Sequence, residues 1–344
     1  MTRRRRWLAG CLVGAALAGA AVPAAAQEFK LKFSHFVPPS HNHHATVIAP
    51  WVEEVKRRTG GRVEITVFPG ASLCKPPQQY ECVRDGIADL SFAVTGWTPG
   101  RFPLSSVVEL PFMMRTAATG SQMLADLWDK YLKQEYQDVH VLYMNVHPAG
   151  HVHTHSKHVR ALEDFRGLKI RAPTAVVGDV LETLGAAKVG MPVNQIYESM
   201  SNRVIDGFVV PYEVFPPFKF FEVTRFHTEV GMYTTAFVTM MNKKKYESLP
   251  ADLRRVLDET TSAQAGYWKK VGASWDAAEA PGRKSIVDRK NEIYVLPRAE
   301  RQRWREALRG LDDKWVRDLE AKGLPAAALL KEARALAARY GEAE

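Results

Sequence analysis

Between Phe165 and Pro211 the chain alternates strand-sized apolar runs with amphipathic stretches: FRGLKIRAP, AVVGDVLETLG, AAKVGMP, NQIYESMSN and VIDGFVVP. That alternation builds β–α–β units, in which parallel strands are covered by helices. Such sheets bind ligands in the crevice beyond the carboxyl ends of their strands. Arg171 sits at that edge, directly before the Ala-Pro-Thr that ends its strand. A guanidinium keeps its proton and offers a planar fork that matches a carboxylate. The placement therefore points to a site for an organic anion. The competing reading is a surface ion pair with Glu163 or Asp164.

The N-terminus carries Arg3 to Arg6, an apolar stretch from Trp7 to Val22, and Ala24-Ala25-Ala26. This order predicts a secretory leader over residues 1–26, with cleavage before Gln27 and a periplasmic product. Gly10, Gly14 and Gly19 interrupt the apolar run, which argues against a retained membrane anchor. Arg4-Arg5-Arg6-Trp7-Leu8 also fits a twin-arginine signal, so both export routes stay open. Cys11 has no apolar region before it and reads as part of the leader.

The formal charge is +9, and the leader's four arginines, with no acid beside them, reduce it to +5. That excess favours small anions. No Lys/Arg block with interleaved aromatics points to nucleic acid. Cys74 and Cys82 read either as a disulfide or as two separate core residues. Two cysteines cannot scaffold a chain this long, so a hydrophobic core must carry the fold.

Along the mature chain, strands are expected at 29–36, 63–68, 88–94, 139–146, 237–242 and 292–296. Helices are expected at 44–58, 81–86 and through the 110s and 120s. A long helix should run from Pro250 to about Ala280, because Leu253, Val256, Leu257, Thr260 and Ala263 keep a helical period. Pro281-Gly282 should end or kink it, and two polar helices should close the chain. Two α/β halves crossed more than once by the chain describe a hinged clamshell. Its first domain takes residues 27–148 plus 236–277, and its second takes 149–235 plus 278–344.

Nine of the eleven histidines fall in two clusters, His35, His41, His43, His44 and His147, His151, His153, His155, His158. His151, His153 and His155 alternate and would share a face of a strand. They read as donors lining a cleft or, with their neighbours, as zinc ligands. Trp97, in a Gly-rich loop, and Phe208, Tyr212, Phe215 and Phe218 lie near strand ends, either as packing or as an aromatic wall for a ligand. Asn194 reads as an N-cap or as part of an anion site at a helix start. No nucleophile elbow, phosphate-cradling loop, H-E-x-x-H or dinucleotide fingerprint occurs. No enzymatic activity and no cofactor are expected.

Phe165–Pro173, Leu184–Pro192, Tyr197-Glu198 and Val204–Gly207 together resemble the central signature of TRAP (tripartite ATP-independent periplasmic) transporter solute-binding proteins. Ser34-His35, TGGRV at 59–63, DGIADLSF at 85–92 and SLPADLRRVL at 248–257 extend the resemblance over nearly the whole mature chain. It implies a two-domain clamshell, with a mixed, mostly parallel sheet in each domain and a long helix crossing both. Such a receptor, expected as a monomer, hands an organic acid to the small and large membrane subunits of a permease. Arg171 takes the place of the family's carboxylate-binding arginine. His151 stands where a second arginine is common, and Val210 where an Asn often precedes Pro211. Fewer fixed polar groups and more aromatic surface imply a monocarboxylate, aromatic in type, rather than sialic acid or a C4-dicarboxylate. The candidate ligand residues are Arg171, His151, His153, Trp97, Asn194, Tyr212, Glu213, His35, Pro173 and Phe208. The rival readings are a metal-capture protein using the histidines and an exported hydrolase.

Overall fold

A computed structural model describes residues 29–341; the expected leader and Cys11 lie outside them. Eleven strands form two sheets among the described residues. The first has the order β2-β1-β3-β10-β4, with β1 Phe29–His35, β2 Val63–Phe68, β3 Leu90–Val94, β10 Ala236–Asn242 and β4 Val139–Val146. β1 runs parallel to β2 and β3, while β10 runs antiparallel to β3 and β4. Every residue of β3 and β10 is buried, as expected for central strands covered on both faces. The turn into β2 depends on Gly60 and Gly61, which take left-handed conformations (φ +61° and +83°) just after the helix Ala49–Arg58.

The second sheet has the order β11-β9-β5-β8-β6-β7. Its strands are β11 Glu292–Val295, β9 Phe226–Glu229, β5 His151–Thr154, β8 Gly207–Val210, β6 Lys169–Ala172 and β7 Ala187–Gly190. β6 is parallel to both neighbours, and β5 is antiparallel to both of its own. Cys74 and Cys82, both buried, form a disulfide with their Cα atoms 6.4 Å apart.

The expected single helix from Pro250 is two helices, Ala251–Thr260 and Tyr267–Val287. The break falls at Gly266 (φ +76°), whereas Pro281 lies inside the second helix without ending it. Packing explains the difference. The second helix lies on the helix Ala117–Leu127 and β4, and also on the turn Tyr212–Val214, so it is held along its length. Gly282 sits against the backbone there: a Cβ would stand 2.1 Å from the Tyr212 carbonyl oxygen.

After β11 come three helices rather than two, Arg298–Leu308, Gly310–Glu320 and Ala326–Arg339. Trp304 and Leu308 pack in the core of the second sheet. Trp315, Leu319, Leu329 and Leu336 pack in the core of the first, although the chain there was expected with the second half.

Candidate functional site

The carboxyl ends of β1, β3, β6 and β8 converge on a narrow slot of about 50 Å³. Phe36, Trp97, Phe218, Tyr233, Phe237 and Trp275 give it an aromatic wall. Phe36 packs face to face on Phe92 (5.3 Å between centroids) and edge-on to Trp97 (4.7 Å), while Phe237 leans on Trp275 (5.1 Å). Trp275 is fixed by donating its N–H to His43 Nδ1 (2.9 Å).

Arg171 enters this slot from β6 and is 3% exposed. Its Nε donates to the Met191 carbonyl (2.9 Å) and its Nη1 to that of Val209 (3.4 Å). The Tyr233 hydroxyl donates to the same Val209 oxygen (2.8 Å). Among the described residues no carboxylate pairs with Arg171. Burial alone pushes its pKa down to about 10, with Tyr233 pulling slightly the other way. It remains a cation at neutral pH, buried and without a counter-ion, which is a costly arrangement until an anion arrives.

Burial disfavours the charged forms of the other ionisable groups of the slot. Burial pushes His41 down to about 3, helped by repulsion from His35 and His44, and pushes His147 down to about 4. Glu213 is held well above the usual carboxylate range, first by burial and then by repulsion from Glu279. His41 Nε2 comes within 3.3 Å of Glu213 Oε2. That approach is not aligned as a hydrogen bond, so both Glu213 oxygens lack a partner, as does Thr235 Oγ1 in the same slot.

Four of the ten candidate residues line the slot: Arg171, Trp97, Pro173 and Glu213. Asn194 is not the cap of the helix Ile196–Ser201; it borders the slot and donates its Nδ2 to the Phe36 carbonyl (2.8 Å). His151, His153, Tyr212, Phe208 and His35 lie elsewhere. His151 is on β5, two strands from β6, where Nδ1 accepts from the Val230 and Gly231 N–H groups and Tyr212 covers the ring (4.5 Å). His153 bonds His227 and the Val210 carbonyl beside Phe208 and Phe215, which is core packing. Tyr212 donates to Glu229 (3.2 Å), and His35 bonds His44 (2.9 Å). No three of the described His, Cys, Asp or Glu side chains are arranged to hold a metal ion. Residue-by-residue reading missed His41, His147, Tyr233, Thr235 and Trp275. They come from four stretches of the chain with no local motif, Tyr233 and Thr235 sharing one; only the clustering of histidines hinted at the first two.

Three hydrogen bonds fasten the elements around the slot across the two sheets. Besides the Asn194 bond, Trp97 Nε1 donates to the Pro173 carbonyl (3.1 Å) and Thr174 Oγ1 donates to Glu109 Oε2 (2.6 Å). Gly96 makes the close approach possible, because a Cβ there would stand 2.6 Å from Thr174 Cγ2.

Residues 33–318 match the family model for bacterial extracellular solute-binding proteins, family 7 (DctP). The chain belongs to this family. It is a TRAP-type solute receptor, and the metal-capture alternative falls with that finding. Three solved structures illustrate the kinship. A TRAP solute-binding protein of Rhodoferax ferrireducens T118, crystallised with copurified benzoate, is 36% identical, with TM-score 0.87 over 91% of this chain and 98% of that one. A marine-metagenome receptor specific for aromatic acids, with 3-hydroxybenzoate bound, is 38% identical, with TM-score 0.88 over 91% and 99%. A receptor of Bordetella bronchiseptica with bound (R)- and (S)-mandelate is 30% identical, with TM-score 0.83 over 90% and 99%. Family members are extracytoplasmic binding proteins, and no helix among the described residues is long and apolar enough to cross a membrane.

Proposed function

We propose that this receptor captures an aromatic monocarboxylate in the slot, with Arg171 taking the carboxylate and the aromatic wall covering the ring. The observation that carries the reading is Arg171 itself, a buried cation with two backbone bonds and no counter-ion. Arg171 brings a positive charge to the slot, while burial disfavours the charged forms of Glu213, His41 and His147. A monoanion balances it, whereas a second carboxylate would find no second cation. Relatives bound to benzoate, 3-hydroxybenzoate and mandelate support the same class.

The leader over residues 1–26 exports the chain to the periplasm, where it acts as a monomer without enzymatic activity. Its lobes are residues 27–148 with 236–277 and residues 149–235 with 278–344, the last two helices leaning on the first lobe. A slot this narrow admits a ring only if the lobes part and reclose, a hinge motion of the kind periplasmic binding proteins use. The closed, loaded form is what the small and large membrane subunits of the permease receive.

Thermal-shift measurements on the leader-processed protein test this reading with benzoate, mandelate, succinate and malate. An aromatic acid at a hundred times its Kd stabilises by about 2.7 kcal/mol, and the C4-dicarboxylates should do nothing. Tighter binding of a dicarboxylate than of any aromatic acid, or no response to any acid, overturns it.

A further inference from the structure

Glu213 follows β8 and lines the slot that holds Arg171, yet it is 3% exposed and both carboxyl oxygens lack hydrogen-bond partners among the described residues. A buried polar atom left unpaired is costly, so a group like this in a ligand slot marks where a ligand atom belongs. Two neighbours define what that atom is. His41 Nδ1 accepts the His43 backbone N–H (3.1 Å), so the neutral His41 ring carries its hydrogen on Nε2, which faces Glu213 Oε2 at 3.3 Å. Glu279 lies on the backbone side of Glu213, accepting its N–H (2.8 Å), and burial keeps a negative charge on Glu213 unfavourable. A neutral carboxyl group offers one O–H donor and one carbonyl acceptor.

We infer that Glu213, with His41 beside it, forms a second polar subsite that takes an uncharged oxygen of the ligand, a hydroxyl or a carbonyl, while rejecting a second carboxylate. The inference rests on the monocarboxylate reading and sharpens it to oxygen-substituted aromatic acids. A ligand hydroxyl can both receive the Glu213 proton and donate to its other oxygen. A second ligand carboxylate would meet an acid with no cation at hand.

Calorimetric titration of the leader-processed protein with benzoate, its 2-, 3- and 4-hydroxy derivatives and isophthalate tests this. At least one hydroxybenzoate should bind tenfold or more tightly than benzoate, and isophthalate should bind more weakly than benzoate. Glu213→Leu should reduce the hydroxyl preference, read as the ratio of the benzoate and hydroxybenzoate Kd values, to threefold or less; Glu213→Gln, which keeps a donor and an acceptor, should retain part of it. If the wild type binds benzoate as tightly as every hydroxy isomer, or Glu213→Leu leaves the preference intact, the subsite is wrong and the monocarboxylate reading stands. If neither benzoate nor any hydroxybenzoate binds, both fall. The wild-type comparison decides the matter even if a Glu213 variant fails to fold.

Discussion

Trp97 gives its indole N–H to the carbonyl of Pro173, two residues beyond Arg171, and so ties the loop after β3 to the edge of β6. The same ring packs on Phe36 and forms part of the slot wall. Trp97→Phe keeps an aromatic ring and removes the bond. A neutral hydrogen bond contributes about 0.5–1.5 kcal/mol, so ligand affinity should fall about two- to tenfold in calorimetry. Unchanged affinity would mean that the bond does not help hold the site together.

Arg171→Lys keeps the charge and loses the fork, and Arg171→Ala loses both. With charge-assisted bonds contributing about 1.5–3 kcal/mol each, Lys should weaken aromatic-acid binding about tenfold or more, and Ala about a hundredfold or more. The Ala variant should not melt below the wild type, because removing an unpaired buried cation relieves a desolvation cost. Near-normal affinity in the Ala variant would remove Arg171 from the site.

Stability should peak between about pH 6 and 7. Glu109 and Glu135 are raised to about 7 and Glu279 to about 8, chiefly by burial, so the folded chain holds protons that the unfolded chain sheds. Their contribution is full below pH 4.5 and is lost as pH rises through 7 to 8. His35, His41 and His151 are lowered to about 3 and His147 to about 4, again by burial. Their contribution is present above pH 6.5 and is lost as pH falls toward 4 to 3. Melting temperatures read across pH 4–9 check this; a Tm still climbing from pH 7 to 9 would contradict the buried-acid side.

Gly282 touches the Tyr212 carbonyl so closely that Gly282→Ala must push the helix Tyr267–Val287 off the turn that presents Glu213. Overpacking of this kind costs about 1–3 kcal/mol. A lower Tm together with weaker ligand binding is expected, and a wild-type Tm would show that the turn can yield freely.

Reduction of the Cys74–Cys82 bridge should cost about 2–3 kcal/mol, the loop-closure value for a short loop. Neither cysteine lines the slot, so ligand affinity in the reduced protein should stay within about twofold. A melt and a titration with and without reductant separate the two effects.

Much of the fold was legible because its signals are local. β2 and β4 lie at 63–68 and 139–146 as their apolar runs predict, and Gly60-Gly61 marks the turn between helix and strand. The Gly266 break was obscured by an apolar period that continues through Ala263, and Pro281 misled because tertiary packing holds a helix that its local sequence would end. In the site, Arg171, Trp97, Pro173 and Glu213 could be picked out because each lies at, or shortly after, the carboxyl end of a strand. His151 and His153 could not be placed, since alternation assigns a face but says nothing of strand order. β8 intervenes between β5 and β6, and that is a non-local fact.

Two of the bonds that fasten the sheets together around the slot end on main-chain carbonyls, those of Phe36 and Pro173. Any residue supplies a carbonyl, so the fastening makes no demand on the side chains at those two positions. The wall that meets the ligand can therefore be rewritten at Phe36 without redesigning how the molecule shuts. A receptor built this way can acquire a new diet while keeping its old clasp.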